Sequence, residues 1–159
     1  MQSELVEKLY DQYGGRVFRY ILSRVHVYAD AEDLRSEVFV KVMANIARYD
    51  SRRAAYSTWI YAITRNVVND YFRNRNAETA ELDDVLIDSM DEGPWDQDLS
   101  ALADALKKCS QRERDVIILR YHQGYPYAEI AEMLHLSCAN VRMIGFRTLR
   151  KLRGMLRKV

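Results

Sequence analysis

Two cysteines, Cys109 and Cys138, stand far apart in 159 residues, so the sequence has neither a disulfide framework nor a C-x-x-C pair. Two prolines (Pro94, Pro126) and six glycines punctuate it sparsely, and strict two-residue alternation is missing throughout, which excludes a β-sheet and predicts an all-α chain. No stretch approaches the roughly 18 apolar residues that a membrane-spanning helix needs, so no membrane span is expected. The first residues, MQSELVEKLYDQYGG, carry acids early and lack the apolar core of a secretory signal. There is no Gly-rich phosphate loop, no pair of metal-ligand spacings and no nucleophile beside a base. A cytoplasmic protein that is not an enzyme is expected, with no cofactor, no metal and no small-molecule substrate.

Acidic residues are missing from one place in particular. Residues 137–159, SCANVRMIGFRTLRKLRGMLRKV, hold seven basic side chains and no acid. The net charge of +1 conceals three blocks. Residues 1–76 carry 12 basic and nine acidic side chains, residues 77–98 nine acids and no base, and residues 99–159 12 bases and five acids. Blocks of opposite sign point to two lobes, 1–76 and 99–159, joined by an acidic connector over 77–98. Gly93-Pro94 interrupts any helix there, although Leu82, Val85, Leu86, Ile87 and Met90 give the connector apolar residues with which to dock.

Helical spacing dominates the rest. Leu5, Leu9, Tyr13, Val17, Tyr20 and Ile21 form one amphipathic stripe. Asp30 is the expected N-cap of a second helix with Leu34, Val38, Val42 and Ile46 inward. A third helix is expected from about Thr58, with Ile60, Ile63, Val67 and Tyr71 on one side. Leu99, Leu102 and Leu106 open a new pattern after the connector. SQRE (Ser110–Glu113) is a capping box, and the helix it opens carries Val116, Ile117, Leu119 and Arg120 as far as Gly124.

Near the C-terminus, Tyr127 to His135 reads as a short helix with Ile130, Ala131 and Leu134 inward. Ser137 is placed to cap a final helix that buries Val141, Gly145, Leu149, Leu152 and Leu156. Two helices across a tight turn, the second basic, make a helix-turn-helix. Such a second helix fits the major groove of DNA. Its outward residues, Asn140, Arg142, Met143, Phe146, Arg147 and Arg150, are the candidate contacts. A basic solvated face or a helix lying on an acidic membrane would account for the charge alone. A membrane-surface helix, however, favours large apolar residues on its buried side, where this one has Gly145.

The first lobe interleaves Tyr49, Tyr56, Trp59, Tyr61, Tyr71 and Phe72 with Arg52, Arg53, Arg65, Arg73 and Arg75. Aromatic faces stack unpaired bases while cations follow phosphates, which is how single-stranded nucleic acid is held. Trp59 and Tyr71 are expected in the core. Tyr56 and Tyr61 are expected outward, together with a polar stripe of Asn66, Asn69 and Arg73. On the Asp30 helix, Asp33 and Glu37 lie beside Arg35 and Lys41, a face suited to a protein rather than to phosphate.

Three segments, DAEDLRSEVFVKVMANIARYD, STWIYAITRNVVNDYFRNRN and SQRERDVIILRYHQGYPYAEIAEMLHLSCANVRMIGFRTLRKLR, together resemble a bacterial sigma factor of the extracytoplasmic-function (ECF) type. The resemblance runs over roughly residues 5 to 155, with the family's region 2 and region 4 in order. It implies two small helical domains and a specificity subunit that binds core RNA polymerase and directs initiation at particular promoters. By the same resemblance, Asp33, Arg35, Glu37 and Lys41 meet the β′ clamp helices, and the C-terminal lobe meets the β flap. Arg52, Arg53, Tyr56, Tyr61, Arg65, Asn66, Asn69 and Arg73 take the −10 strand, and the final helix reads the −35 duplex. The connector threads the polymerase cleft, and an anti-sigma factor is an implied partner. The family commonly has Gly where His135 stands and an aliphatic residue at Gly145. Two rivals remain on the residues alone. One is a helix-turn-helix regulator with a helical sensor lobe. The other is a metal protein using His135, Cys138, Cys109 and His122.

Overall fold

The spacing over residues 5–21 forms helix α1 (Gln2–Val25), which buries Val6, Leu9, Val17, Tyr20, Ile21 and Val25 along one side. The computed structural model describes residues 2–76 and 97–157, which fall into two units. Most of the acidic connector lies outside the described residues. Among the described residues there is no strand.

In the first unit α1 packs with α2 (Tyr28–Asn45) and α3 (Tyr56–Asn76), each helix touching the other two. Two residues turn the chain from α1 into α2. The His26 amide donates to the Leu22 carbonyl at 2.9 Å, His26 takes a left-handed φ of 62°, and Val27 is extended. Asp30 was expected to cap α2, but the helix starts at Tyr28 with Val27 at the N-cap and no side-chain cap. Tertiary partners claim the carboxylate instead. It accepts a hydrogen bond from the Tyr71 hydroxyl at 2.6 Å and pairs with Arg75 at 3.2 Å, tying the last turns of α3 to the first turn of α2. Burial and this bond together push the Tyr71 hydroxyl far above its ordinary pKa.

The expected stripe Leu34, Val38, Val42 and Ile46 is buried, and Ala31 and Phe39 join it. A 3-10 turn, Ile46–Arg48, ends that helix. α3 begins at Tyr56, two residues before the expected Thr58, and buries Ile60, Tyr61, Thr64, Val67 and Val68, with Ile63 and Tyr71 half-buried. The Thr64 hydroxyl donates to the Ile60 carbonyl at 2.8 Å, which satisfies it inside the core.

The second unit begins with α4 (Gln97–Lys107), so the helix starts inside the last two residues assigned to the connector. Ala105 and Cys109 pack on Leu152, flanked by Leu106, Ile117 and Met155. The Ser110 capping box is present in full and opens α5 (Gln111–Ile117). α5 then widens into a π-turn, Ile118–His122, in which the Gln123 amide reaches the Ile118 carbonyl at 2.9 Å. Gly124, with φ of 76°, ends it where the sequence predicts. α6 (Tyr127–Leu134) closes on His135, which adopts a left-handed φ of 57° while the Leu136 amide donates to the Ala131 carbonyl at 2.9 Å. This is the turn that glycine enters most easily; His enters αL more readily than most residues.

Ser137 caps α7 (Cys138–Leu156), its hydroxyl accepting from the Asn140 amide at 3.1 Å. The helix buries Val141, Gly145, Thr148 and Leu152. Leu149 is half-buried and Leu156 is 37% exposed, so Thr148 takes the inward place expected for Leu149 and Leu156 lies outside. A four-three-four spacing stays on one face of a 3.6-residue helix here, and burying Thr148 is possible because its hydroxyl donates to the Ile144 carbonyl at 2.7 Å.

Glu113 joins α5 to α7. One carboxylate oxygen accepts from the Ser110 amide at 2.9 Å and lies 3.6 Å from Lys151; the other lies 3.3 Å from the Thr148 hydroxyl. The Ser110 amide, with the Ser110 hydroxyl, Lys151 and Thr148 adding to it, holds this carboxyl below its ordinary 4.5 against a smaller opposing effect of burial. A depressed folded value means stability that is present above about pH 4.5 and lost as pH falls below it. The stability advantage of the wild type over Glu113→Gln should therefore shrink on acidification below that pH. Ser110→Ala should cost about 1 kcal/mol at neutral pH. Hydrogen exchange at the α5 and α7 amides measures both.

Candidate nucleic-acid interface

Because Val141, Gly145, Thr148 and Leu152 fix the rotation of α7, its other side is presented outward without further constraint. Asn140, Arg142, Met143, Phe146, Arg147 and Arg150 are all exposed, as the sequence predicts. Met143 is 50% and Phe146 64% exposed. Two large apolar side chains between cations stand largely outside the core of this unit. They match the major-groove edge of DNA, where a thymine methyl accepts apolar contact and guanidinium groups reach guanine or phosphate. Arg142 lies over the Tyr127 ring at 5.8 Å, and Arg120 lies over the same ring at 4.3 Å.

In the first unit, the loop between the 3-10 turn and α3 is built on Tyr49. Its ring stacks on Tyr56 at 4.2 Å and 16°, and Trp59 tilts against it at 5.0 Å. Its hydroxyl donates to the Ala54 carbonyl at 2.7 Å. Asp50 shapes the turn by accepting from the Arg52 amide at 2.9 Å, leaving Arg52 and Arg53 exposed at the tip. Burial first, then the nearby Tyr56 and Asp50, raises the Tyr49 hydroxyl pKa. An aromatic slab in a loop that also carries two exposed arginines, Arg52 paired with Asp50 at 3.3 Å, can stack an unpaired base and hold its phosphates. One face of Tyr56 is already occupied by Tyr49.

Along α3, Arg65, Asn66 and Arg73 are exposed, with Arg73 3.3 Å from Asp70. Asn69 is half-buried and its carbonyl accepts from Arg24 at 3.2 Å, so it also ties α3 to α1. Tyr61 was expected to face outward. It is 6% exposed and sits edge-on to Tyr20 at 5.2 Å, so it is a core residue and offers no stacking surface. Tyrosine at helical spacing fits a core as well as a surface when a second ring awaits it.

The α2 candidates divide. Asp33, Glu37 and Lys41 share one stripe, with Glu37 and Lys41 paired at 3.8 Å. Arg35 is drawn away onto α1, lying over Phe18 at 4.9 Å and Tyr10 at 5.5 Å. Beside the charged stripe, Val40 and Met43 are 66% and 57% exposed, a mixed apolar and charged surface of the kind proteins use to meet proteins. Sequence reasoning overlooked these two, though both fall off the Leu34, Val38, Val42 stripe. It also left Tyr49 out of the site, although Tyr49 opens the aromatic–basic run. Cys109 is buried, and among the described residues no three His, Cys, Asp or Glu side chains are placed to hold a metal.

The chain matches two families, described as Sigma-70 region 2 over residues 9–78 and Sigma-70, region 4 over residues 105–154, together about three quarters of its length. It is 28% identical to the ECF RNA polymerase sigma factor BldN of Streptomyces coelicolor, covering 98% of this chain and 61% of that protein. The chain thus spans less than two thirds of that relative. It is 27% identical to the ECF RNA polymerase sigma factor SigX of Bacillus subtilis, covering 94% and 82%. Among solved structures, CnrH in complex with the cytosolic domain of CnrY aligns with a TM-score of 0.73 at 20% identity, covering 98% of this chain and 90% of that one. RpoE of Bartonella quintana, in complex with the anti-sigma factor NepR, aligns with a TM-score of 0.72 at 19% identity, covering 95% and 96%. At these identities the two structures speak to the fold.

Tyr49 is the residue whose loss should most disturb the loop. Tyr49→Phe, which keeps the stack and removes the bond to Ala54, should lower the stability of the first unit by about 1 kcal/mol. Tyr49→Ala should cost more, because Tyr56 and Trp59 both lose their partner. Urea unfolding of the two variants checks the order.

Proposed function

Since the chain belongs to the sigma-70 family, with regions 2 and 4 of the ECF type, we propose that it is an alternative sigma factor that binds core RNA polymerase and directs initiation at its own promoters. The observation that carries this reading is the pairing, in one chain, of a helix-turn-helix whose second helix has an exposed basic face with an aromatic and cationic loop suited to an unpaired strand. A regulator that only binds duplex DNA has no use for the second. The catalytic work belongs to the polymerase, and a chain of this kind acts in the cytoplasm.

α7 enters the major groove of the −35 element. Asn140, Met143, Arg147 and their neighbours meet base edges, and Arg150 meets phosphate. At the −10 element the duplex opens and a base leaves the stack, which costs a few kcal/mol. The Tyr49–Tyr56–Trp59 slab with Arg52 and Arg53 receives the strand, and Arg65, Asn66 and Arg73 follow it along α3. Asp33, Glu37 and Lys41, with Val40 and Met43 beside them, form the surface for the β′ clamp helices. The C-terminal unit has the β flap as its polymerase contact. An anti-sigma factor is the expected inhibitor, and residues 77–98 are the connector between the two domains, 1–76 and 99–159.

Run-off transcription with bacterial core polymerase and a library randomised over both elements tests the reading. Transcripts should require this protein and come from one enriched −35/−10 pair. Duplex binding without core binding or transcripts would support the regulator instead. At the enriched promoter, Arg147→Ala should weaken −35-dependent initiation about tenfold. Asn66→Ala should impair opening, read by permanganate reactivity, more than duplex binding. Initiation as good as wild type in both variants would remove these assignments.

A further inference from the structure

Gly145 sits inside a helix, where glycine costs about 1 kcal/mol relative to alanine, and it is buried. Its neighbours limit what could stand there. A Cβ at Gly145 would meet the Tyr127 ring at 3.5 Å, the Tyr127 hydroxyl at 3.6 Å and Val116 at 3.7 Å. One methyl group fits at ordinary van der Waals distance; a longer side chain displaces the tyrosine. Tyr127, the first residue of α6, thus lies against α7 at Gly145.

Two other features converge on this ring. The π-turn at the end of α5 brings Arg120 over it at 4.3 Å, with the guanidinium also donating to the Tyr125 carbonyl at 3.2 Å. The same turn puts the Tyr121 hydroxyl 3.4 Å from that of Tyr127. The ring is therefore fixed on several sides. Arg142, on the outward face of α7, lies over it at 5.8 Å. An exposed arginine carries large rotamer freedom that binding must remove. A ring that restricts the guanidinium beforehand reduces that cost and directs it toward one base edge.

We propose that Tyr127, seated against Gly145, is a positioning residue that holds Arg142 for base readout and so sets discrimination at one base pair of the −35 element. The proposal rests on α7 reading that element. The test uses the full chain with core polymerase and a run-off template library randomised over the −35 element. Tyr127→Leu should lower discrimination at the base pair read by Arg142 about two- to fivefold, the contribution of a cation–π contact at an exposed site. Preference at the other positions should stay as in the wild type. Tyr127→Phe should behave as wild type, and so should Gly145→Ala. Gly145→Leu should match Tyr127→Leu. In an Arg142→Ala background, Tyr127→Leu should cause no further change.

A uniform loss across all sequences in Tyr127→Leu, or an equal effect with and without Arg142, would make the tyrosine merely structural and overturn the proposal. If the larger substitutions unfold the unit on thermal melting, the methyl-sized Gly145→Ala and the Tyr127→Phe variant can still overturn the proposal. Loss of discrimination in both would refute a contact made through ring and space alone. If Arg142→Ala leaves every −35 preference unchanged while the wild type still selects an element, Arg142 is not a reader and the proposal falls with that assignment. If the wild type selects no −35 element, the −35 reading itself fails.

Discussion

One stripe of α7 governs the second unit. α4, α5 and α6 all pack against this helix, and Val141, Gly145, Thr148 and Leu152 are what they meet. A helix advances about 100° per residue, so burying that stripe fixes which side chains face away. A one-residue slip would carry Arg142 toward the core and Val141 into water. The position of every outward group on α7 follows from four inward ones. Glu113 reinforces the register from outside the apolar contact, because Thr148 and Lys151 are spaced three apart and both reach it.

The first unit solves a different problem. Its three helices share a core around Tyr20, Ile21, Val38 and Val67, and the polar atoms of the two tyrosines Tyr20 and Tyr61 lie 3.5 Å apart within it. Asp30, Tyr71 and Arg75 then bind the end of α3 to the start of α2. These ties leave the loop at the other end of α3 to be shaped by its own residues, with Tyr49 as the central ring. The unit is fastened at one end and presents its aromatic slab at the other.

Much of this was legible in the residues. The Ser110 box, the Ser137 cap and the stop at Gly124 follow from local chemistry, which a sequence displays directly. The outward set on α7 was also legible, since charge and period agree there. What escaped were decisions made by distant partners. Asp30 reads as a cap until Tyr71 and Arg75 arrive from 41 and 45 residues away. Tyr61 reads as exposed until Tyr20 offers an edge. Thr148 displaces Leu149 from the inward place because the Ile144 carbonyl accepts its hydroxyl proton. The π-turn adds a residue to a helical turn, and no composition signal marks that insertion.

The inward and outward stripes of α7 have no residue in common. The core contacts of α7 therefore do not depend on Asn140, Met143, Arg147 or Arg150, and exchanging any of them for another good helix former leaves that packing intact. Arg142 is the exception, because it lies over the Tyr127 ring at 5.8 Å and that ring lies against Gly145. A substitution at Arg142 therefore also removes a neighbour of the Tyr127 ring, which a substitution at Arg147 or Arg150 does not.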